Sequence, residues 1–189
     1  QVSLKPIEII YSREDGWKNL FNGETLEGWQ VKCHPEDQNK EFWKADNTAI
    51  ECNSLGSPDH DYIWLMTENE YDDFQLRMKF QIYRDYEGNS GVQFRSRYDK
   101  KDKKSDGGWL NGPQVDIHPP TPLRTGLIYD ETRDVQRWIY PDLEDHRIII
   151  EKVPETAKQT KLIYANDDPD AWNILELICD GMHIETFVN

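Results

Sequence analysis

Two short stretches place polar side chains where chemistry could use them. In 91–98, Gln93, Arg95 and Arg97 recur at every second residue, and in 114–118 Gln114, Asp116 and His118 do the same. Alternate side chains of an extended strand share a face. If the two strands are neighbours, these rows form one patch of two guanidiniums, a carboxylate, two amides and an imidazole. A carboxylate or imidazole can take a proton, and a guanidinium can stabilise developing negative charge. Amides can orient hydroxyls. Trp109, inside a Gly-rich loop, is read as an exposed ring beside such a patch, suited to stacking on the C–H face of a sugar. Alternation alone describes an ordinary solvated sheet face just as well, and by itself favours that reading.

Other chemistry finds little support. There is no HExxH, no phosphate-cradling glycine loop and no GxSxG. Asp59-His60-Asp61 offers oxygens to a cation but sits in a Gly/Pro-flanked stretch that reads as a solvated loop. Cys33, Cys52 and Cys179 have no CxxC spacing, so no zinc framework is expected, and they leave room for at most one internal disulfide.

The elements that would position the polar rows are strands. From Phe74 to Tyr83 the residues Phe74, Leu76, Met78, Phe80 and Ile82 alternate with Gln75, Arg77, Lys79, Gln81 and Tyr83, a half-buried strand. Val92 and Phe94 make the apolar face of one polar row, and Val115 and Ile117 that of the other. Between the 74–83 strand and the first polar row, 88–91 reads as a turn. Further strands are expected over 127–129, 147–153, 161–164, 174–179 and 183–188, with Asp180-Gly181 closing a hairpin. Trp43 and 49–52 flank a turn at Asp46-Asn47, and 155–159 reads as a helical turn. Many short strands joined by turns define an all-β fold, a two-sheet antiparallel β-sandwich. The length of 189 residues fits one such domain. Residues 1–16 read as an N-terminal extension and 17–189 as the sandwich. The start at Gln1 suggests a processed or trimmed end, and Asn189 falls inside an expected strand, as if the domain were truncated.

Composition narrows the partners. The 22 aromatic residues (7 Trp, 9 Tyr, 6 Phe) argue against disorder. A net charge of −14 opposes nucleic acid and anionic membrane surfaces, and the Lys100–Lys104 cluster is interrupted by Asp102 and flanked by acids. No apolar run reaches the ~18 residues of a transmembrane helix.

Several segments taken in order resemble the 3-keto-disaccharide hydrolase family. They are Leu20-Phe21-Asn22-Gly23 with Leu26-Glu27-Gly28-Trp29, then Asn89-Ser90-Gly91-Val92-Gln93-Phe94-Arg95, then Gly112-Pro113-Gln114-Val115-Asp116-Ile117 with Tyr129-Asp130-Glu131, and finally Trp172-Asn173 with Asp180-Gly181. Each motif is short, but the order and spacing together span nearly the whole chain. The resemblance implies a concanavalin A-like jelly roll of the lectin/glucanase type. It also implies a carbohydrate-active protein that meets its substrate outside the cytoplasm, secreted, periplasmic or at the cell surface. Many members carry Glu where Gln114 stands and Gln where Asp116 stands, so a carboxylate needed in this row is offered here by Asp116.

The implied reaction is cleavage of a 3-keto-glycoside, in an oligo- or disaccharide, by proton abstraction at C2, elimination and hydration. The residues it nominates are Asp116 or His118 as base and Arg95 as stabiliser of the enolate, with Arg97 beside it. Asn89, Gln93 and Gln114 would hold hydroxyls, Tyr129 would stack or donate to the leaving oxygen, and Glu131 and Trp109 would complete the substrate contacts. No cofactor is assigned; a divalent cation, Ca2+ or similar, is an alternative enolate stabiliser, with no ligand set assigned. The competing reading is a non-catalytic carbohydrate-binding module using the same face.

Overall fold

A computed structural model describes residues 2–10, 16–46, 49–57, 59–85, 88–102 and 108–189, with backbone alone for 2–10. In chain order its strands are β1 (Val2–Ile10), β2 (Lys18–Asn19), β3 (Trp29–Cys33), β4 (Trp43–Asp46) and β5 (Ala49–Cys52). There follow β6 (Ile63–Thr67), β7 (Phe74–Ile82), β8 (Ser90–Gln93), β9 (Arg97–Asp99) and β10 (Trp109–Asn111). The last are β11 (Pro113–Ile117), β12 (Ile128–Asp130), β13 (Arg137–Tyr140), β14 (Asn173–Asp180) and β15 (His183–Val188). The helix α1 (Glu155–Lys158) is a single turn.

The alternation of β7 decides the packing. Leu76, Met78, Phe80 and Ile82 are buried, and Phe74 packs against them. β14 lies beside β7 in the register Leu175↔Met78 and Leu177↔Leu76, so its buried leucines continue the same face. The large sheet runs β15-β14-β7-β1-β5-β4, with β2 on β1. A four-stranded sheet runs β13-β12-β11-β8 and sets Val92, Val115, Ile117 and Ile128 against that core. Two further ladders, β3-β6 and β9-β10, complete an antiparallel, jelly-roll-like sandwich. Burying a large apolar side chain contributes roughly 1.5–3 kcal/mol, so these facing rows hold the sheets together.

A second, smaller apolar cluster of Leu127, Trp138, Leu143 and Val153 lies against the four-stranded sheet, with Leu123, Tyr129, Ile148 and Ala157 around it. It accounts for one departure from expectation. The 147–153 run is not a strand; it includes a 3-10 turn at Ile150–Lys152. Its Ile149 and Ile150 stay exposed, while Ile148 and Val153 turn into this cluster.

Residues 161–164 also form no strand. Side-chain amides replace the ladder there: Asn173 Oδ1 accepts from Ile163 N–H, Asn173 Nδ2 donates to Ile163 C=O, and Asn189 Nδ2 donates to Lys161 C=O. The 88–91 turn shrinks, since Ser90 already opens β8. The 1–16 segment is more than an extension, because its β1 lies within the large sheet, paired with β7 on one side and β5 on the other. Cys33, Cys52 and Cys179 are free thiols. Among the described residues no helix is long and apolar enough to cross a membrane.

Candidate functional site

The register makes the two strands neighbours but brings only Gln93 of the first polar row beside the second. β8 and β11 pair as Gln93↔Gln114 and Gly91↔Asp116, and β12 continues with Tyr129 opposite Gln114, then β13 with Trp138 opposite Tyr129. Gln93, Gln114, Tyr129 and Trp138 therefore form one cross-strand row on the side opposite Val92, Val115 and Ile128. Gly91 makes the row possible. A Cβ there would stand 2.5 Å from Cγ and Cδ of Gln114, so the glutamine side chain occupies space that only glycine leaves.

The amide of Gln114 sits between two carboxylates. Its Nε2 lies 3.5 Å from Asp116 Oδ1 and 3.4 Å from Glu131 Oε1. Asp116 is 1% exposed and receives Arg124 Nε on Oδ2 at 3.0 Å. Burial nevertheless wins over the guanidinium and pushes the Asp116 carboxyl up to about 6. Burial also pushes Glu131 up to about 7, with the charges of Asp116 and Asp130 adding to it. The charge of Asp116 thus reaches Glu131 across the shared amide. Near neutral pH the Glu131 carboxyl can hold and release a proton. Burial, followed by the charge of Glu131, raises Tyr129 to about 12, so its phenol stays protonated.

A cleft of ≈ 1600 Å³ follows β8 and opens onto this row; Gln93, Gln114 and Glu131 line it, and so do Asn89, Arg95 and Arg97. Tyr62 and Trp64 line it as well. Asp116, fully buried, is not part of the wall.

The other expected residues fall unevenly. His118 is half-buried, and its Nδ1 accepts the Thr121 N–H at 3.1 Å. That bond occupies the lone pair a base would use and leaves Nε2 as the protonated nitrogen, while burial lowers the imidazole pKa. Arg95 does not join Asp116. The strand expected over 91–98 breaks at Arg95, whose φ is +49°. Its guanidinium there binds Asp72 C=O, Gly181 C=O and, at 2.8 Å, Asp73 Oδ1. It ties three loops together. Arg97 falls in a separate ladder, exposed, with no ion-pair partner among the described residues.

Asn89 is exposed at the mouth of the cleft. Trp109 is 2% exposed rather than a free platform. It belongs to β10, with its indole N–H on Glu131 C=O at 2.8 Å and the Arg133 guanidinium 3.6 Å from its ring centre. Among the described residues no three His, Cys, Asp or Glu side chains come together as a metal would require. No step below uses a metal.

Sequence reasoning undervalued Glu131, Arg124, Tyr62 and Trp64. Glu131 has the parity of Tyr129, which could have placed it in the row. Tyr62, Trp64 and Met66 alternate likewise. Arg124 left no signal, because it reaches Asp116 from a 3-10 turn.

Residues 16–189 match the family model described as 3-keto-alpha-glucoside-1,2-lyase-like domain. The chain belongs to that family, and its membership supports a carbohydrate-active role. A comparison with curated proteins found no match.

Proposed function

We propose that this protein cleaves 3-keto-glycosides, with Glu131 as the base. The observation that carries the proposal is a buried carboxylate in the cleft wall with its pKa raised to about 7. A base works best with a pKa near the operating pH. The C3 ketone makes the C2–H acidic. Glu131 takes that proton, and the C–H electron pair moves into an enolate with its charge on the C3 oxygen. The enolate collapses to a C1=C2 enone and the C1–O bond breaks. The departing oxygen takes the proton back from Glu131, restoring the carboxylate. Water then adds across the enone, with hydroxyl at C1 and hydrogen at C2, which completes net hydrolysis.

Arg97, which lines the cleft with no ion-pair partner among the described residues, is the cation assigned to the enolate oxygen, in place of Arg95. Asp116 acts through Gln114, holding the amide and raising the proton affinity of Glu131. By its resemblance to a family that meets glycans outside the cytoplasm we place the protein there, and a native precursor without an export signal would remove that placement.

Turnover of a 3-keto glucoside by wild type and Glu131→Gln tests the reading. Loss of a general base costs on the order of 10²–10⁴ in rate, while Asp116→Asn should lower the rate less and shift its pH profile. A variant Glu131→Gln that retains turnover rejects the assignment. A wild type that binds sugars without ever converting the keto form rejects catalysis.

A further inference from the structure

The chain carries far more acid than base, with a net charge of −14, so a cation left without a carboxylate stands out in it. Every arginine among the described residues has a carboxylate partner except Arg97. Arg97 lines the cleft, and so do Lys32 and Lys100, two lysines that also have no ion-pair partner among the described residues. Lys32, on β3, is half-buried. Its ammonium stands 5.6 Å from the centre of the Tyr98 ring. Its one hydrogen bond among the described residues goes to a neutral partner, Gln30 Oε1, at 2.8 Å. Tyr98 follows Arg97 in β9, and its ring meets Trp64 edge-on at 6.2 Å. Lys100 comes directly after the end of that strand. The carboxylates that line the same cleft are engaged or lie elsewhere. Asp72 pairs with Arg95 and Asp61 with His34, while Glu131 has the Gln114 amide. Glu68 extends the β3-β6 ladder past its Trp29–Thr67 end, with Glu70 beyond it. At strand rise Glu68 is ~13 Å from Trp64, the residue paired with Lys32. The end of the cleft where Lys32 meets Tyr98 is therefore basic.

We infer that this end of the cleft binds an oxyanion, and that the sugar taken there carries a carboxylate or a sulfate ester. Lys32 and Lys100 hold the anion through charge-assisted hydrogen bonds, from ammonium groups that the protein itself leaves without a carboxylate. The acidic remainder of the surface does not prevent this. Exposed charges more than ~8 Å away are largely screened at physiological ionic strength, so the nearby cations decide. A neutral sugar would gain nothing from the two ammonium charges. The inference rests on the reading of the cleft as the substrate site and adds the charge of the substrate; Arg97 keeps its place at the enolate oxygen.

The test measures binding of methyl glucoside, methyl glucuronide and methyl glucoside 6-sulfate by isothermal titration at low salt, in wild type and in the double variant Lys32→Gln with Lys100→Gln. Turnover of the 3-keto forms of the same glycosides runs beside it. Wild type should bind at least one charged glycoside about tenfold more tightly than the neutral one, a difference of about 1.4 kcal/mol. It should favour the 3-keto form of that glycoside by a similar factor in kcat/KM, mainly through KM. The double variant should lose the preference and keep its activity on the neutral 3-keto glucoside. A preference for the glucuronide alone identifies the anion as a carboxylate, and one for the sulfate alone as a sulfate ester. No preference in wild type, or one that the double variant retains, overturns the anion site while leaving the function intact. If wild type converts none of the 3-keto glycosides but binds a charged one through the two lysines, the anion site stands and the catalytic reading falls. Absence of both turnover and binding overturns both.

Discussion

The large sheet and the four-stranded sheet each carry a face of alternating polar side chains, and each face holds an Arg–carboxylate pair. On the large sheet, Arg77 Nε meets Glu176 Oε1 at 2.6 Å, with side chains 45% and 26% exposed. On the four-stranded sheet, Arg124 Nε meets Asp116 Oδ2 at 3.0 Å, with exposures of 26% and 2%. The pairs look alike, but their surroundings do not. The first face is wet. The second is packed at its Tyr129–Trp138 end into the cluster with Leu127, Leu143 and Val153, and burial holds its two carboxylates up to about 6 and 7. A polar row becomes a site when another element takes away its water, because dehydration makes each charge expensive and its proton affinity adjustable.

Removing one partner of the buried pair should have the largest effect on stability. Arg124→Leu leaves a buried carboxylate with its guanidinium gone, a change that typically costs 3–5 kcal/mol. The loss should be greatest near pH 8 and smaller at pH 5, where Asp116 is protonated and has less need of its partner. Urea denaturation at both pH values measures it. A loss below ~1 kcal/mol at pH 8 would mean that Asp116 is solvated and that the two faces do not differ.

Glu131 sharpens the contrast next. Its carboxyl rises from an ordinary 4.5 to about 7 on folding. Between those values the folded state binds more protons than the unfolded state, so stability falls as pH rises through that window. At 1.36 kcal/mol per unit the fall is at most about 3 kcal/mol. Glu131→Gln lacks this contribution, so its advantage in Tm over wild type should be absent near pH 4 and grow to a plateau above pH 7. A smaller decline from Asp116 should remain in the variant. A pH-independent difference in Tm would place Glu131 in water.

Much of this arrangement was legible in the sequence, and the reason is parity. The period of two in β7, β8 and β11 named the core residues and the polar row, and the motif order gave the family. The packing around the row could not be read. Nothing local shows that Ile148 and Val153 leave their expected strand to join the cluster around Trp138, or that Arg124 reaches back eight residues to Asp116. Arg95 misled for a related reason. Its parity was right only if the strand continued, and the left-handed backbone at that residue turned the guanidinium towards Asp72 and Asp73. Trp109 lay beside glycines, which suggested exposure, whereas Gly108 and Gly112 border the short strand that buries it.

The smallest effect is expected on the wet face. Arg77 also lies over the Trp17 ring, 4.7 Å from its centre, so Arg77→Ala alone would remove a cation–π contact together with the ion pair. A double-mutant cycle of Arg77→Ala and Glu176→Ala isolates the pair. An exposed pair gains little Coulomb energy and loses side-chain entropy, so the coupling should be ~0–1 kcal/mol despite the short distance. It should approach zero in about 1 M salt, where screening acts within about 3 Å. A coupling above about 2 kcal/mol that survives salt would show that this face too is closed off from water in solution. The distinction between the sheets would then lie in what covers each of them, and the large sheet would need its own search for a ligand or partner.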